Sequence, residues 1–241
     1  MKLLIIRHGD PDYSIDSLTE KGWKEAQLLA KRMEREQADY YYCSTLGRAK
    51  DTASATLERL GKTAQYCEWL REFKAPIEYP KGVQKGCCWD LLPTDFTAND
   101  VYYSAYKWYD SPIYRKSDVK REYKWVTAQF DEMLKSHGYV HNGRIFKAVR
   151  PNNDVIALFC HFGVECVLLS HLFGVSPVPL WQHTMAAPTS VTTIYTEERV
   201  NGVAVFRVQS FGDLSHLYTE GEKPSFAGRF CERFDNEDER H

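Results

Sequence analysis

Lys2-Leu3-Leu4-Ile5-Ile6 opens the chain as a short continuous apolar run that stops at Gly9 and Pro11. A strand buried on both faces has this pattern, so the run predicts a parallel strand inside a sheet. From Thr19 the period changes. Trp23, Ala26, Leu29, Ala30 and Met33 recur at helical spacing, and the Thr19 hydroxyl is placed to cap the helix they predict. Tyr40-Tyr41-Tyr42-Cys43 is β-prone and predicts a strand over 38–44, whereas Ala49, Ala53, Ala55, Thr56 and Leu60 return to helical spacing over 48–60. A third short strand is predicted over 64–70. Asp154-Val155-Ile156-Ala157-Leu158-Phe159-Cys160 reads as a buried strand feeding a helix over 164–173. Strands and helices in alternation predict a three-layer α/β/α domain, its central sheet mostly parallel with helices on both faces.

Residues 78–150 break this rhythm. They are rich in aromatics, show no clear strand alternation, and have helical spacing only around 120–134. They are expected to form a largely helical insertion, or cap, over the active-site edge of one domain spanning 1–241. Asn201-Gly202 then marks a hairpin between β-prone segments at 190–196 and 203–209. The charged tail over 232–241, with Phe234 as its one apolar anchor, is expected to fray.

Composition narrows the function classes. A hydrophobic fraction of 43% and a charged fraction of 27% are those of an ordinary globular protein, and no run reaches the roughly 18 apolar residues of a membrane span. Arg7-His8-Gly9-Asp10 ends the opening apolar run too early for a signal-peptide core, so a cytoplasmic location is expected. Seven cysteines is an odd number, and Cys87-Cys88 are adjacent, which favours free thiols over a disulfide framework. A net charge of -2 draws the chain to neither nucleic acid nor an anionic membrane, so any anion site must be local.

Three segments offer such a site. Arg7-His8-Gly9 ends the first strand, at the carboxyl edge where open parallel sheets bind ligands. A neutral imidazole there can attack phosphorus, the arginine can fork onto phosphate oxygens, and glycine admits close backbone approach. Alone, the triplet reads equally well as a satisfied strand-end histidine. Ser44-Thr45-Leu46-Gly47-Arg48-Ala49 lies where the second strand enters its helix, and an arginine at a helix start opposes the dipole unless an anion offsets it. Cys160-His161-Phe162-Gly163 brings a second imidazole to the same edge.

Taken together, these segments resemble the histidine phosphatase superfamily, the phosphoglycerate mutase-like fold, and within it the small broad-specificity phosphatases. The matching motifs are Arg7-His8-Gly9, Leu18-Thr19-Glu20-Lys21-Gly22, Ser44 to Arg48 with Ala49 and Thr52, Leu70-Arg71-Glu72-Phe73 and His161-Phe162-Gly163, in order from Met1 to about Phe173. The resemblance implies that His8 is the nucleophile, that Arg7, Arg48 and a cationic His161 bind the transferred phosphoryl group, and that Glu72 is the proton donor. No cofactor and no metal are implied. Glu68, Glu78 and Asp10 are the rival carboxylates. The mutases' glutamate-tyrosine-aspartate motif and later proline triplet are missing after Glu72, so hydrolysis of a small phosphorylated metabolite is expected rather than mutase-type transfer.

Other chemistries fit less well. His8, Asp10, Asp12 and His161 could be taken for the ligands of a metal hydrolase, but Arg7 and Arg48 would repel a divalent cation. Cys43 stands one residue too close to Arg48 for a cysteine-phosphatase loop, and Cys160 has Cys166 where that loop needs arginine, so both are expected to be buried structural thiols. A non-catalytic phosphate-binding module would be signalled by loss of His8 or an arginine, and none is lost. Trp89, Tyr102, Tyr103, Tyr106, Trp108, Tyr109 and Tyr114 are expected to form the insertion's own core sooner than an apolar substrate wall. Lys81, Lys85, Lys107, Arg115 and Lys116 either add an anion contact or solvate that face. His171, His183 and His216 carry no assigned role.

Overall fold

The computed structural model describes residues 1–78, 86–228 and 235–236. Lys81, Lys85, Phe234 and most of the charged tail lie outside them. Eight strands form one sheet: β1 (Lys2–Arg7), β2 (Tyr40–Ser44), β3 (Gln65–Cys67), β4 (Tyr139–Asn142), β5 (Ile145–Ala148), β6 (Val155–Cys160), β7 (Val191–Val200) and β8 (Val203–Asp213). Their order is β3-β2-β6-β1-β7-β8-β5-β4. The half from β3 to β1 is parallel, and β7, β8, β5 and β4 continue it antiparallel. The expected parallel sheet is therefore the half that carries the site.

Alternation along β1 explains the layers. Leu4 and Ile6 pack with Leu29 and Met33 of α1 (Glu20–Glu36) and Ala49 and Ala53 of α2 (Gly47–Leu60). Leu3 and Ile5 face the opposite way, onto Val126 and Phe130 of α3 (Val119–Ser136) and Val164 and Leu168 of α4 (Phe162–Phe173). Burying each such side chain contributes about 1.5–3 kcal/mol. Thr19 caps α1 as expected, its hydroxyl accepting from the Gly22 N–H. Asn201 and Gly202 form the two-residue turn between β7 and β8, Gly202 at φ +73°. Among the described residues, no helix is long and apolar enough to cross a membrane.

The region over 78–150 differs from its expected form at its end. Helix α3 matches the helical spacing found there, but residues 139–148 form the β4–β5 hairpin, which joins β8 and extends the main sheet. Each strand has only four residues, too few to display an alternation in sequence. The insertion's aromatics do make a core: Trp108 is fully buried, with edge contacts to Tyr109, Tyr114, Tyr123 and Trp181. Tyr103 and Tyr106 instead face solvent, as do Lys107, Arg115 and Lys116.

Candidate active site

Parallel strands β1, β6 and β2 end side by side, and this register brings the separate sequence motifs to one edge. Arg7 pairs with Cys160 across the β1–β6 ladder, so His8 and His161 each follow the last paired residue of neighbouring strands. Their rings lie 5.0 Å apart, tilted by 56°. Arg48, in the first turn of α2, donates its Nε–H to His8 Nε2 at 3.4 Å. Both histidines, Arg7 and Arg48 are buried.

The tautomer of His8 follows from its neighbours. Its Nδ1 lies 2.7 Å from the Gly9 carbonyl, which can only accept, so the proton sits on Nδ1 and the lone pair on Nε2. Burial first, then Arg7 and Arg48, hold the His8 pKa well below the ordinary histidine range, and the ring stays neutral. His161 is lowered in the same way by burial, His8 and the two arginines. Its Nε2 meets the Ser44 hydroxyl at 2.8 Å, while its buried Nδ1 has no protein partner.

The arginines are held from elsewhere in the chain. Arg7 donates a guanidinium N–H to the Ala186 carbonyl. The loop before β7 also takes the Arg7 N–H on the Ser190 carbonyl at 3.1 Å and gives the Thr189 N–H to the His8 carbonyl at 3.1 Å. Thr189 adopts φ +59°, a left-handed conformation that a β-branched residue occupies only under constraint. Asp16 aims Arg48: one carboxylate oxygen accepts from the guanidinium at 2.5 Å and the other from the Gly47 N–H at 2.7 Å. Tyr13 lies across the same guanidinium, 5.4 Å from ring centroid to Cζ. Beneath Arg7 is Glu165, buried, accepting from Thr192 at 2.5 Å and pushed up to about 7 by desolvation against the opposing pull of Thr192 and Arg7.

Glu72 joins this group and its rivals do not. Its Oε1 accepts from the Phe73 N–H at 2.8 Å and from the Val164 N–H of the first turn of α4 at 3.2 Å. Desolvation lifts its pKa to about 6 against Arg7, Arg48 and those two amides. Gly163 leaves room for it: a Cβ there would stand 2.6 Å from Glu72 Oε1 and 2.7 Å from the Trp89 ring. Glu68 is exposed and paired with Arg71, Glu78 is exposed, and Asp10 is bonded to the Thr19 and Ser225 hydroxyls. Glu72 also lines a cleft of about 560 Å³ with Leu46, Arg71, Lys74, Glu122 and Trp125 on its walls. Cys43 and Cys160 are fully buried, Cys43 pushed up to about 12 by desolvation and Cys160 raised well above the usual thiol range, so neither is available as a thiolate nucleophile.

Arg7, His8, Arg48, Glu72 and His161 thus converge as the motifs implied. Sequence reasoning missed Asp16, Glu165 and the Ala186–Ser190 loop. Only Asp16 had a local signal, as an acid shortly before the Thr19 cap, and nothing in that position points to Arg48.

Known proteins agree with this geometry. The family model described as histidine phosphatase superfamily (branch 1) matches residues 3–77. A probable phosphatase of Schizosaccharomyces pombe is 24% identical over 234 residues, covering 91% of this chain and 97% of its own. Among solved structures, the Entamoeba histolytica phosphoserine phosphatase superposes with a TM-score of 0.57 at 18% identity, covering 90% of this chain and 98% of that one. A mycobacterial glucosyl-3-phosphoglycerate phosphatase gives 0.56 at 19% identity, with 88% and 98% covered. Over residues 3–77 the chain matches the histidine phosphatase superfamily, and its fold as a whole is similar to that of these solved phosphatases.

Proposed function

We propose that the chain is a phosphomonoesterase that hydrolyses a small phosphorylated metabolite through a phosphohistidine on His8. The observation that carries this reading is the His8 tautomer: with Nδ1–H committed to Gly9, Nε2 keeps the lone pair, held only by a long 3.4 Å bond from Arg48, in a ring beside His161. In the first step Nε2 attacks phosphorus and the ester oxygen leaves, taking the Glu72 proton. The charge on the phosphoryl oxygens is met by Arg7, Arg48 and the His161 ring. Burial and, after it, the neighbouring His8 and arginines keep His161 neutral; a phosphate dianion opposes both, so His161 takes up a proton as substrate enters and donates from Nδ1. In the second step ionised Glu72 accepts a proton from water, the water oxygen bonds to phosphorus, and the phosphorus–nitrogen bond breaks to release inorganic phosphate and restore His8.

The positive charge for this sequence comes from side chains, so turnover needs no added metal. The leaving group occupies the cleft beyond Glu72, where Arg71, Lys74 and Arg121 are the cations available to a second anionic or polar group. Relatives whose names carry phosphoserine or glucosyl-3-phosphoglycerate support a metabolite of that size. The test is rapid acid-free quenching of enzyme with ³²P-labelled substrate. Label stable to base and labile to acid is expected on wild type and absent from His8→Ala; label that persists in the variant overturns the assignment.

A further inference from the structure

On the face of the sheet away from α1 and α2, three side chains meet that play no part in the chemistry above. Asp131 comes from α3, His141 from β4 and His171 from the last turn of α4. Asp131 Oδ1 lies 2.7 Å from His171 Nε2, and Oδ2 lies 3.2 Å from His141 Nδ1. The two rings are 4.5 Å apart, and all three candidate ligand atoms fall within 4.8 Å of one another. No other group of three or more His, Cys, Asp or Glu side chains meets that spacing among the described residues.

We propose that Asp131, His141 and His171 form a site for a divalent transition metal, zinc by ligand type, which ties the insertion's helix and hairpin to the helix that begins at the active site. Two imidazoles and one carboxylate are a recurrent zinc set that leaves a fourth position for water. Ligand atoms around a tetrahedral zinc stand about 3.4 Å apart, given bonds near 2.0–2.1 Å. The His141–Asp131 separation of 3.2 Å is close to that value, and the His171–Asp131 separation of 2.7 Å, a hydrogen-bond distance, must widen by about 0.7 Å to admit the ion. A second observation points the same way. His141 Nε2 lies 2.9 Å from the Gly143 carbonyl, which requires Nε2 to carry a proton. Nδ1, on the other side of the ring, is the atom turned to the carboxylate, where it can share a cation with Asp131. The backbone carbonyl behind the ring is also the usual partner that fixes the tautomer of a metal-bound imidazole. All three residues are partly exposed, so an ion can enter. His171 lies ten residues, about 15 Å of helix, beyond His161, so this ion would hold the scaffold and not touch substrate.

Full-length protein stripped with EDTA and dialysed would be titrated with Zn²⁺ in competition with a chromophoric chelator. One equivalent should bind, and His141→Gln and His171→Gln should each weaken it by about tenfold or more. His8→Ala should retain it, which separates this site from the catalytic imidazoles. Co²⁺ in wild-type protein should give d–d bands without thiolate charge transfer, which distinguishes the site from the free cysteines even if a variant folds poorly. Zn²⁺ should raise the melting temperature of wild type but not of His141→Gln, with turnover of that variant and of stripped enzyme at 25 °C unchanged. No stoichiometric uptake, uptake by both glutamine variants as tight as that of wild type, or a thiolate–cobalt band would each overturn the proposal.

Discussion

Replacing Glu72 by Gln removes one proton and little volume, so it isolates the proton transfer from the shape of the site. Burial lifts Glu72 from 4.5 to about 6. At pH 7 a carboxyl of pKa 4.5 is protonated in about 0.3% of molecules and one of pKa 6 in about 9%, so the environment raises the acid form about thirtyfold. A positioned general acid contributes about 10²–10⁴ in rate when the leaving group is a poor alkoxide. Nitrophenolate departs without a proton and should feel little of this. The assay is kcat/KM across pH 4.5–8.5 for glycerol phosphate and nitrophenyl phosphate, for wild type and Glu72→Gln. The wild-type rate on the alkyl ester should fall as pH rises through about 6, where Glu72 gives up its proton. Phosphate monoesters titrate near pH 6 themselves, so the contribution of Glu72 is read as the difference between the two enzymes. The variant should lose two orders of magnitude or more on glycerol phosphate and far less on nitrophenyl phosphate. It should also release nitrophenol in a burst, because the carboxylate that activates water in the second step is gone. Equal slowing of both esters without a burst would refute the assignment and direct attention to Glu68, Glu78 or Asp10.

Arg48→Lys keeps the charge but loses the planar fork that Asp16 and Tyr13 hold in place; kcat/KM should drop by about 10²–10³, less than for Arg48→Ala, and equal losses would mean the fork geometry contributes nothing. Glu165 has its folded pKa raised from 4.5 to about 7, so its contribution to stability is complete below pH 4.5 and is lost as pH rises through 7. A shift of that size corresponds to roughly 3 kcal/mol. Urea unfolding at pH 5 and pH 8 should show a smaller stability difference in Glu165→Gln than in wild type, and an unchanged difference would mean the carboxyl is already ionised at pH 5.

Legibility from sequence followed the range over which each interaction acts. Strand β1, the Thr19 cap and the Asn201-Gly202 turn are decided within a few residues, and each formed where pattern and turn chemistry put it. The motifs that hold His8, Arg48 and His161 were readable because each follows a strand end, and parallel register then brings strand ends together, whereas Glu72 lies five residues beyond its strand. Their supports were not readable. The bond from Arg7 to Ala186 spans 179 residues, and the one from Thr192 to Glu165 joins a strand to a helix with no spacing rule to suggest it. The β4–β5 hairpin was hidden by its shortness, and with it the meeting of His141 with Asp131 and His171, for which the sequence shows three unrelated polar positions.

Burial explains why this edge can hold its reactive groups ready in the absence of substrate. A low-dielectric site penalises every charge, so it lowers the basicity of imidazoles and raises that of carboxyls. On the proposed mechanism both effects run in the useful direction: His8 is kept unprotonated for attack, while Glu72 is kept nearer to its acid form. Two buried arginines face Asp16 at the outer edge and the buried carboxyls of Glu72 and Glu165, whose raised pKa values reduce the negative charge they supply. An incoming phosphate dianion supplies the missing charge, and the first group to respond is His161, whose free Nδ1 gains a proton and an acceptor together. Substrate binding and assembly of the cationic site are then one event, which makes the affinity for inorganic phosphate pH-dependent through His161. At about pH 8.5, where free phosphate is already the dianion, binding should take up a proton, measurable by calorimetry in buffers of different ionisation enthalpy; an observed heat independent of buffer there would show that His161 does not change protonation when phosphate binds.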